Sequence, residues 1–263
     1  MTVKEENDGA ITVLTINRPE ARNAVNYETA LALAAAIERF KDNDQSHVLV
    51  ITGEGDTSFC AGADLKDIPQ LLGDETFCND VGPMGFAKLD PGKVTIAAIN
   101  GYCFAGGLEL AAWCDFRIAD EHAEFGALNR RWGVPFFDGG TMRLPSIVGL
   151  SNALWLMESG IRIDVNRASQ IGFVQEIVPP GHALKRAITL AKHVAAYPQE
   201  SLRGDRQLVL ESGGYGLAEG LHREDKGRRK SLANAEMMER LSDFASGQRP
   251  EPPRPEEVMT EDQ

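Results

Sequence analysis

The stretch Val94-Thr95-Ile96-Ala97-Ala98-Ile99-Asn100-Gly101-Tyr102-Cys103-Phe104-Ala105-Gly106-Gly107-Leu108-Glu109 decides the fold. Its first six residues are apolar or β-branched and read as a short buried strand, a glycine turn follows, and Leu108–Trp113 opens a helix. Strand, turn and helix in direct succession point to a layered α/β domain. Paired glycines let backbone amides approach a ligand, and the helix behind them turns its positive dipole end toward any negative charge that develops there. That is the physics of an oxyanion site. Glu109 falls in the first turn of the helix, where it can take or give a proton. A tight turn with a dipole-stabilised glutamate has the same residues, and spacing alone leaves both readings open.

Upstream, Ile11–Ile16 and Val48–Thr52 are further short β-branched runs. Between them Asn26 can cap a helix whose Ala30, Leu33, Ile37 and Phe40 recur at helical spacing, so a βαβ unit is expected. A second small-residue turn, Phe59-Cys60-Ala61-Gly62-Ala63-Asp64-Leu65-Lys66, ends a strand and opens a helix; it can supply a second amide or be a packed turn capped by Asp64. Gly73–Pro91 reads as a loop of lid or binding-segment length. Downstream, Phe116–Ala119 and Val174–Val178 read as strands around a turn-rich stretch, Gly126–Gly140, that carries Trp132, Phe136 and Phe137. Helices are expected over Ser151–Ser159, Val165–Ile171, Ala183–Ala196, Gln199–Glu211 and roughly Leu217–Phe244. The domain reading is a core over 1–200, a helical region over 201–246 and a disordered, proline-rich tail over 247–263.

The 263 residues carry a formal net charge of −12 and a pI near 4.9. A nucleic acid or an anionic membrane needs a basic face, so neither is an expected partner. The polar N-terminus has no apolar signal core and no run is long enough to cross a bilayer, so a cytoplasmic address is expected. Cys60, Cys78, Cys103 and Cys114 form no C-x-x-C pair and none stands at metal spacing with a histidine; reduced, mostly buried thiols and no metal site are expected.

Both turns stand inside a wider pattern. Asn17-Arg18-Pro19-Glu20-Ala21-Arg22-Asn23-Ala24, Phe59–Lys66, Ala98–Glu109 with Cys114-Asp115, Phe125-Gly126, Gly139-Gly140-Thr141, Arg143-Leu144, Arg167-Ala168 and Gly172-Phe173-Val174 resemble, in order and spacing, the motifs of the crotonase (enoyl-CoA hydratase/isomerase) superfamily. The likeness covers about residues 10–245. It implies a crotonase (ClpP-like) ββα-spiral core, a C-terminal helical trimerisation region, and assembly as a homotrimer or a dimer of trimers. It implies an acyl-CoA thioester partner, with coenzyme A as part of the substrate and no separate cofactor. The carbonyl-polarising amides match Ala63 and Gly106, and Glu109 matches one of two hydratase glutamates. Arg22, Ala24, Ala61, Asp64, Leu65 and Lys66 are the positions expected to contact the substrate, Arg22 or Lys66 at a phosphate.

One position departs from the pattern. The second hydratase glutamate falls on Asn129, whose amide can orient a water but cannot exchange a proton near neutral pH. Asp138, flanked by Phe136 and Phe137, is a candidate replacement acid if burial raises its pKa, or else a turn aspartate before Gly139. The implied reaction is hydration of a trans-2-enoyl-CoA, with double-bond isomerisation or another crotonase-type reaction, or an inactive acyl-CoA-binding homologue, as alternatives.

Overall fold

The computed structural model describes residues 1–232 and 235–248. Its strands are β1 (Val3–Asp8), β2 (Ile11–Ile16), β3 (Val48–Gly53), β4 (Ser58–Cys60), β5 (Val94–Ile99), β6 (Tyr102–Phe104), β7 (Phe116–Asp120), β8 (Glu124–Gly126), β9 (Ile163–Asp164) and β10 (Glu176–Val178). Its helices are α1 (Tyr27–Asp42), α2 (Ile68–Gly73), α3 (Glu75–Asp80), α4 (Gly106–Trp113), α5 (Gly140–Val148), α6 (Leu150–Ser159), α7 (Val165–Gln170), α8 (Ala183–Ala195), α9 (Gln199–Glu211), α10 (Leu217–Leu232) and α11 (Ala235–Ala245). They fall into two compact units, Met1–Ala191 and Lys192–Gln263, divided inside α8.

The first unit is built on two sheets. The larger runs β1-β2-β3-β5-β7-β10 and is parallel except for the β1/β2 hairpin. β3 and β5 are buried along their whole length, as parallel strands covered on both faces must be, which is why they are continuous apolar runs. The smaller sheet runs β4-β6-β8-β9 and consists of two- and three-residue strands. Helix α1 starts as its sequence implies: Asn26 Oδ1 accepts from the Thr29 amide at 3.0 Å, and Ala30, Leu33, Ile37 and Phe40 all lie in the core.

Several elements differ from the sequence-based expectation. Val3–Asp8 is a strand although five of its six residues are polar, because it is an edge strand whose hydrogen bonds to β2 do not require an apolar face. β10 begins at Glu176, since the Phe173 and Val174 amides turn back to the Ala168 carbonyl at 2.9 and 3.4 Å. Part of the expected 73–91 loop is helical (α3), capped by Asp74 on the Phe77 amide. Where one helix was expected from Leu217 to Phe244 there are two, α10 and α11, on either side of residues 233–234, which lie outside the described residues. The expected tail also lies outside them, apart from Gly247 and Gln248.

Candidate active site

β4 and β6 are parallel neighbours, with Cys60 opposite Cys103, so the turns that leave them emerge side by side. Their contact explains the small residues. A β-carbon on Gly62, whose φ is +97°, would stand 2.7 Å from the Gly106 amide nitrogen, and one on Gly107 would strike the Cys60 carbonyl. The first turn is also laced to the end of the Asn17–Ala24 motif, the signature segment: Val25 N donates to Gly62 O and Asp64 N to Val25 O, both at 2.8 Å. That ladder uses the groups on either side of Ala63 and passes over its amide. Gly106 is the first residue of α4, where a helix has no internal acceptor for the N–H. Among the described residues neither the Ala63 nor the Gly106 amide has an acceptor. Ala105, between β6 and α4, takes φ 50° and ψ −119° and is held there by its N–H bond to Gly126 O at 2.9 Å. A non-glycine residue in this conformation is strained by about 1–3 kcal/mol, and the strain turns the chain so that the next amide, Gly106, leads the helix.

Both amides border a cavity of about 90 Å³ whose wall includes Glu109, Asn129, Met84, Leu65, Trp132 and Phe137. Glu109 is 2% exposed, and its Oε1 accepts from the amides of Asp138 at 2.9 Å and Gly140 at 2.8 Å. Burial pushes its pKa up to about 7; the Gly140 amide pulls the other way, and the negative field of Asp138 adds to the rise. Asn129 is buried, its Nδ2 donates to Val134 O at 2.8 Å, and its Oδ1 has no partner among the described residues. The cavity wall therefore carries two donors without acceptors and one carboxyl, with the Asn129 side chain beside them.

The model of the family described as enoyl-CoA hydratase/isomerase matches residues 6–246 of this sequence. The chain belongs to that family. It is 34% identical over 229 residues to the crotonyl-CoA hydratase of Syntrophomonas wolfei, covering 81% of this chain and 87% of the relative. It is 36% identical over 215 residues to the 2,3-dehydroadipyl-CoA hydratase of Escherichia coli, covering 81% and 84%. Among solved structures, an enoyl-CoA hydratase from Mycobacterium tuberculosis superposes with a TM-score of 0.88 at 32% identity, covering 95% of this chain and 98% of that one. The fold is the crotonase fold.

In this crotonase-family chain the expected site residues divide into two groups. Ala61, Ala63, Leu65, Gly106, Glu109 and Asn129 line one cavity. Arg22, Ala24, Asp64, Lys66 and Asp138 do not border it. Arg22 is exposed, with its guanidinium 5.9 Å from the Tyr102 ring centroid, and Lys66 is exposed as well. Ala24 is buried, and its carbonyl accepts from Arg18 Nη1 at 2.6 Å. Asp64 accepts from Arg18 Nη2 at 3.0 Å and from its neighbour Lys66 N at 3.2 Å, so its carboxylate ties the signature turn to the first amide-bearing turn.

Asp138 is fully buried, and its carboxyl points elsewhere than the sequence suggested. Oδ1 accepts from Met84 N at 3.1 Å, across the chain rather than within its own turn, and Oδ2 has no partner among the described residues. Burial pushes this carboxyl to about 7 as well, with the Met84 amide and then the positive charge of Arg143 opposing. Met84 itself was hidden from sequence reasoning inside a glycine- and proline-rich stretch. Its hydrophobicity was the available signal, since a fully buried methionine there requires the loop to fold inward.

Proposed function

We propose that the chain adds water to a trans-2-enoyl-CoA to give a 3-hydroxyacyl-CoA. One observation carries this reading: the buried Glu109 carboxyl shares its cavity with the two unpaired amides of Ala63 and Gly106, and Asn129 stands in the same wall. The amides receive the thioester oxygen, which gains negative charge as the β carbon is attacked. Ionised Glu109 removes a proton from water while the water oxygen bonds to that carbon, and the Asn129 amide in the same wall helps to orient the water. The enolate then takes the proton back from Glu109 at the α carbon. Hydrogen and hydroxyl are both accounted for, and Glu109 ends as it began. A pKa of about 7 suits a group that must act in turn as base and acid.

A second reading rests on the same wall. A single proton-exchanging carboxyl is also all that is needed to move a double bond between the 3- and 2-positions. Crotonyl-CoA and a 3-enoyl-CoA, offered separately, separate the two through loss or gain of the conjugated thioester absorbance. Hydration predicts loss with crotonyl-CoA. Glu109→Gln is expected to lower kcat by on the order of 10²–10⁴ with little change in binding. Turnover of the 3-enoyl substrate alone would sink the hydratase reading, and wild-type turnover by the variant would remove Glu109 from the chemistry. Binding of both thioesters without turnover would instead mark an acyl-CoA-binding protein.

Coenzyme A arrives with the substrate, and the proton balance above calls for no further cofactor. A cytoplasmic location and a homotrimer or dimer of trimers complete the proposal, to be checked by fractionation and by sedimentation velocity. Among the described residues no helix is long and apolar enough to cross a membrane.

A further inference from the structure

Three pieces of chain meet behind Glu109, and one side chain joins them. The turn Asp138–Gly140 gives Glu109 Oε1 its two amides. The loop Gly82–Ala87 gives the cavity Met84, whose amide is held by Asp138 Oδ1 and whose sulfur packs against Gly106, leaving no room for a β-carbon there. The third piece is α5, and from it Arg143 reaches both others: Nη1 donates to Asp138 O at 3.0 Å and Nη2 to Ala87 O at 2.6 Å. The guanidinium rests directly on Gly139, whose φ is +93° and where any β-carbon would collide with Nη1. Glycine is favoured there by the conformation, and a side chain would also displace the guanidinium.

We infer that Arg143 is a positioning residue for Glu109, acting through the Asp138–Gly140 turn and the Met84 loop. The inference rests on the reading of Glu109 as the proton-transfer group. A planar guanidinium spanning two main-chain carbonyls sets the distance between the loop and the turn, which a lysine ammonium, a single point donor, cannot do for both. Both amides on Glu109 Oε1 come from that turn, so its displacement moves the carboxyl relative to the Ala63 and Gly106 amides. A displacement on the order of 1 Å is enough to cost about 100-fold in rate. Arg143 also supplies a positive charge near Glu109 and Asp138. Ionisable neighbours include three thiols, Cys60 and Cys78 near Asp138 and Cys114 near Arg143, and Lys88, which follows the bridged loop and lies near Cys78. Burial raises the first two, Cys60 to about 12, so neither titrates alongside Glu109.

The test is the pH dependence of kcat and kcat/KM for Arg143→Met and Arg143→Lys, run beside Glu109→Gln on the substrate that wild type turns over. Arg143→Met is expected to lower kcat by about 10- to 100-fold with KM changed far less, and to move the acid limb of kcat/KM upward, because a nearby cation has been removed. Arg143→Lys is expected to bring the limb back while kcat stays low, since charge returns without the two-carbonyl bridge. Should Arg143→Met leave both kcat and the limb at wild-type values while Glu109→Gln is inactive, Arg143 has no positioning role. If it lowers kcat only in proportion to the folded fraction, with the limb unmoved, its role is structural and the inference falls. An active Glu109→Gln would overturn the catalytic reading itself, a separate outcome.

Discussion

Glu109 stands under opposed influences: loss of water and the nearby Asp138 charge favour its protonated form, while the Asp138 and Gly140 amides favour the carboxylate. Desolvation wins, and the balance near 7 makes activity pH-dependent in the physiological range. Attack on the enoyl group needs the ionised form, so kcat/KM should fall about tenfold per pH unit below about 7 and level off above it. Asn129→Asp adds a second carboxyl to the same wall, and mutual repulsion should carry the limb to higher pH. Initial rates from pH 5 to 9 for both proteins check this; a variant limb at or below the wild-type one would contradict it. That Glu109, Ala63 and Gly106 meet at one cavity was legible because their motif marks each of them. Ala105 was not. Sequence reasoning read Gly106 and Gly107 as sites of close approach, and Gly107 is one, against the Cys60 carbonyl; the positive φ of the turn belongs instead to an alanine, which no pattern marks.

At the level of elements, the site depends on how the signature turn is anchored, and Asn23 is the anchor. Its side chain is wholly buried, with Nδ2 donating to Ser58 O at 2.6 Å and Glu54 O at 3.0 Å, and Oδ1 accepting from Arg18 N at 3.0 Å. Asn23→Asp would turn an oxygen toward two carbonyls and bury a charge among them. Such a change should cost about 2–4 kcal/mol, measured by urea unfolding at pH 7. A loss below about 0.5 kcal/mol, the level of an ordinary surface change, would show that the turn does not depend on it. The elements legible from sequence were those whose residues display a period, a continuous apolar run or clear breaks at their ends: α1, α4, α6, α7, α8, α9, β2, β3, β5 and β7. The second sheet was only partly so, because two or three residues per strand show no alternation. α5 was unread for a different reason: it opens at Gly139-Gly140 and contains Pro145, all residues that signal a break.

For the molecule, the long-range consequence of the site is a stability that runs against pH. Its two buried carboxyls, Glu109 and Asp138, ordinarily titrate at 4.5 and 3.8 and in the folded chain near 7. Through that window the folded chain keeps protons that the unfolded chain has released. The free energy of unfolding therefore falls as pH rises, and the contribution, complete below about pH 4, is lost above about pH 7 to 8. At about 1.4 kcal/mol for each tenfold difference in proton affinity between the folded and unfolded chain, Glu109 accounts for about 3 kcal/mol and Asp138 for about 4 kcal/mol over the whole range. Asp138→Asn removes one of them. The substitution leaves a new N–H that lacks an acceptor, a cost that does not vary with pH, but its stability relative to wild type should improve by about 2–3 kcal/mol between pH 5 and pH 8. Urea unfolding at both pH values gives that difference directly. A flat difference would mean that Asp138 is already ionised in the folded chain at pH 5, and that a cation or water compensates the unpartnered Oδ2. An improvement of the expected size would instead identify the site as a store of unfavourable burial, held in place by the fold around it.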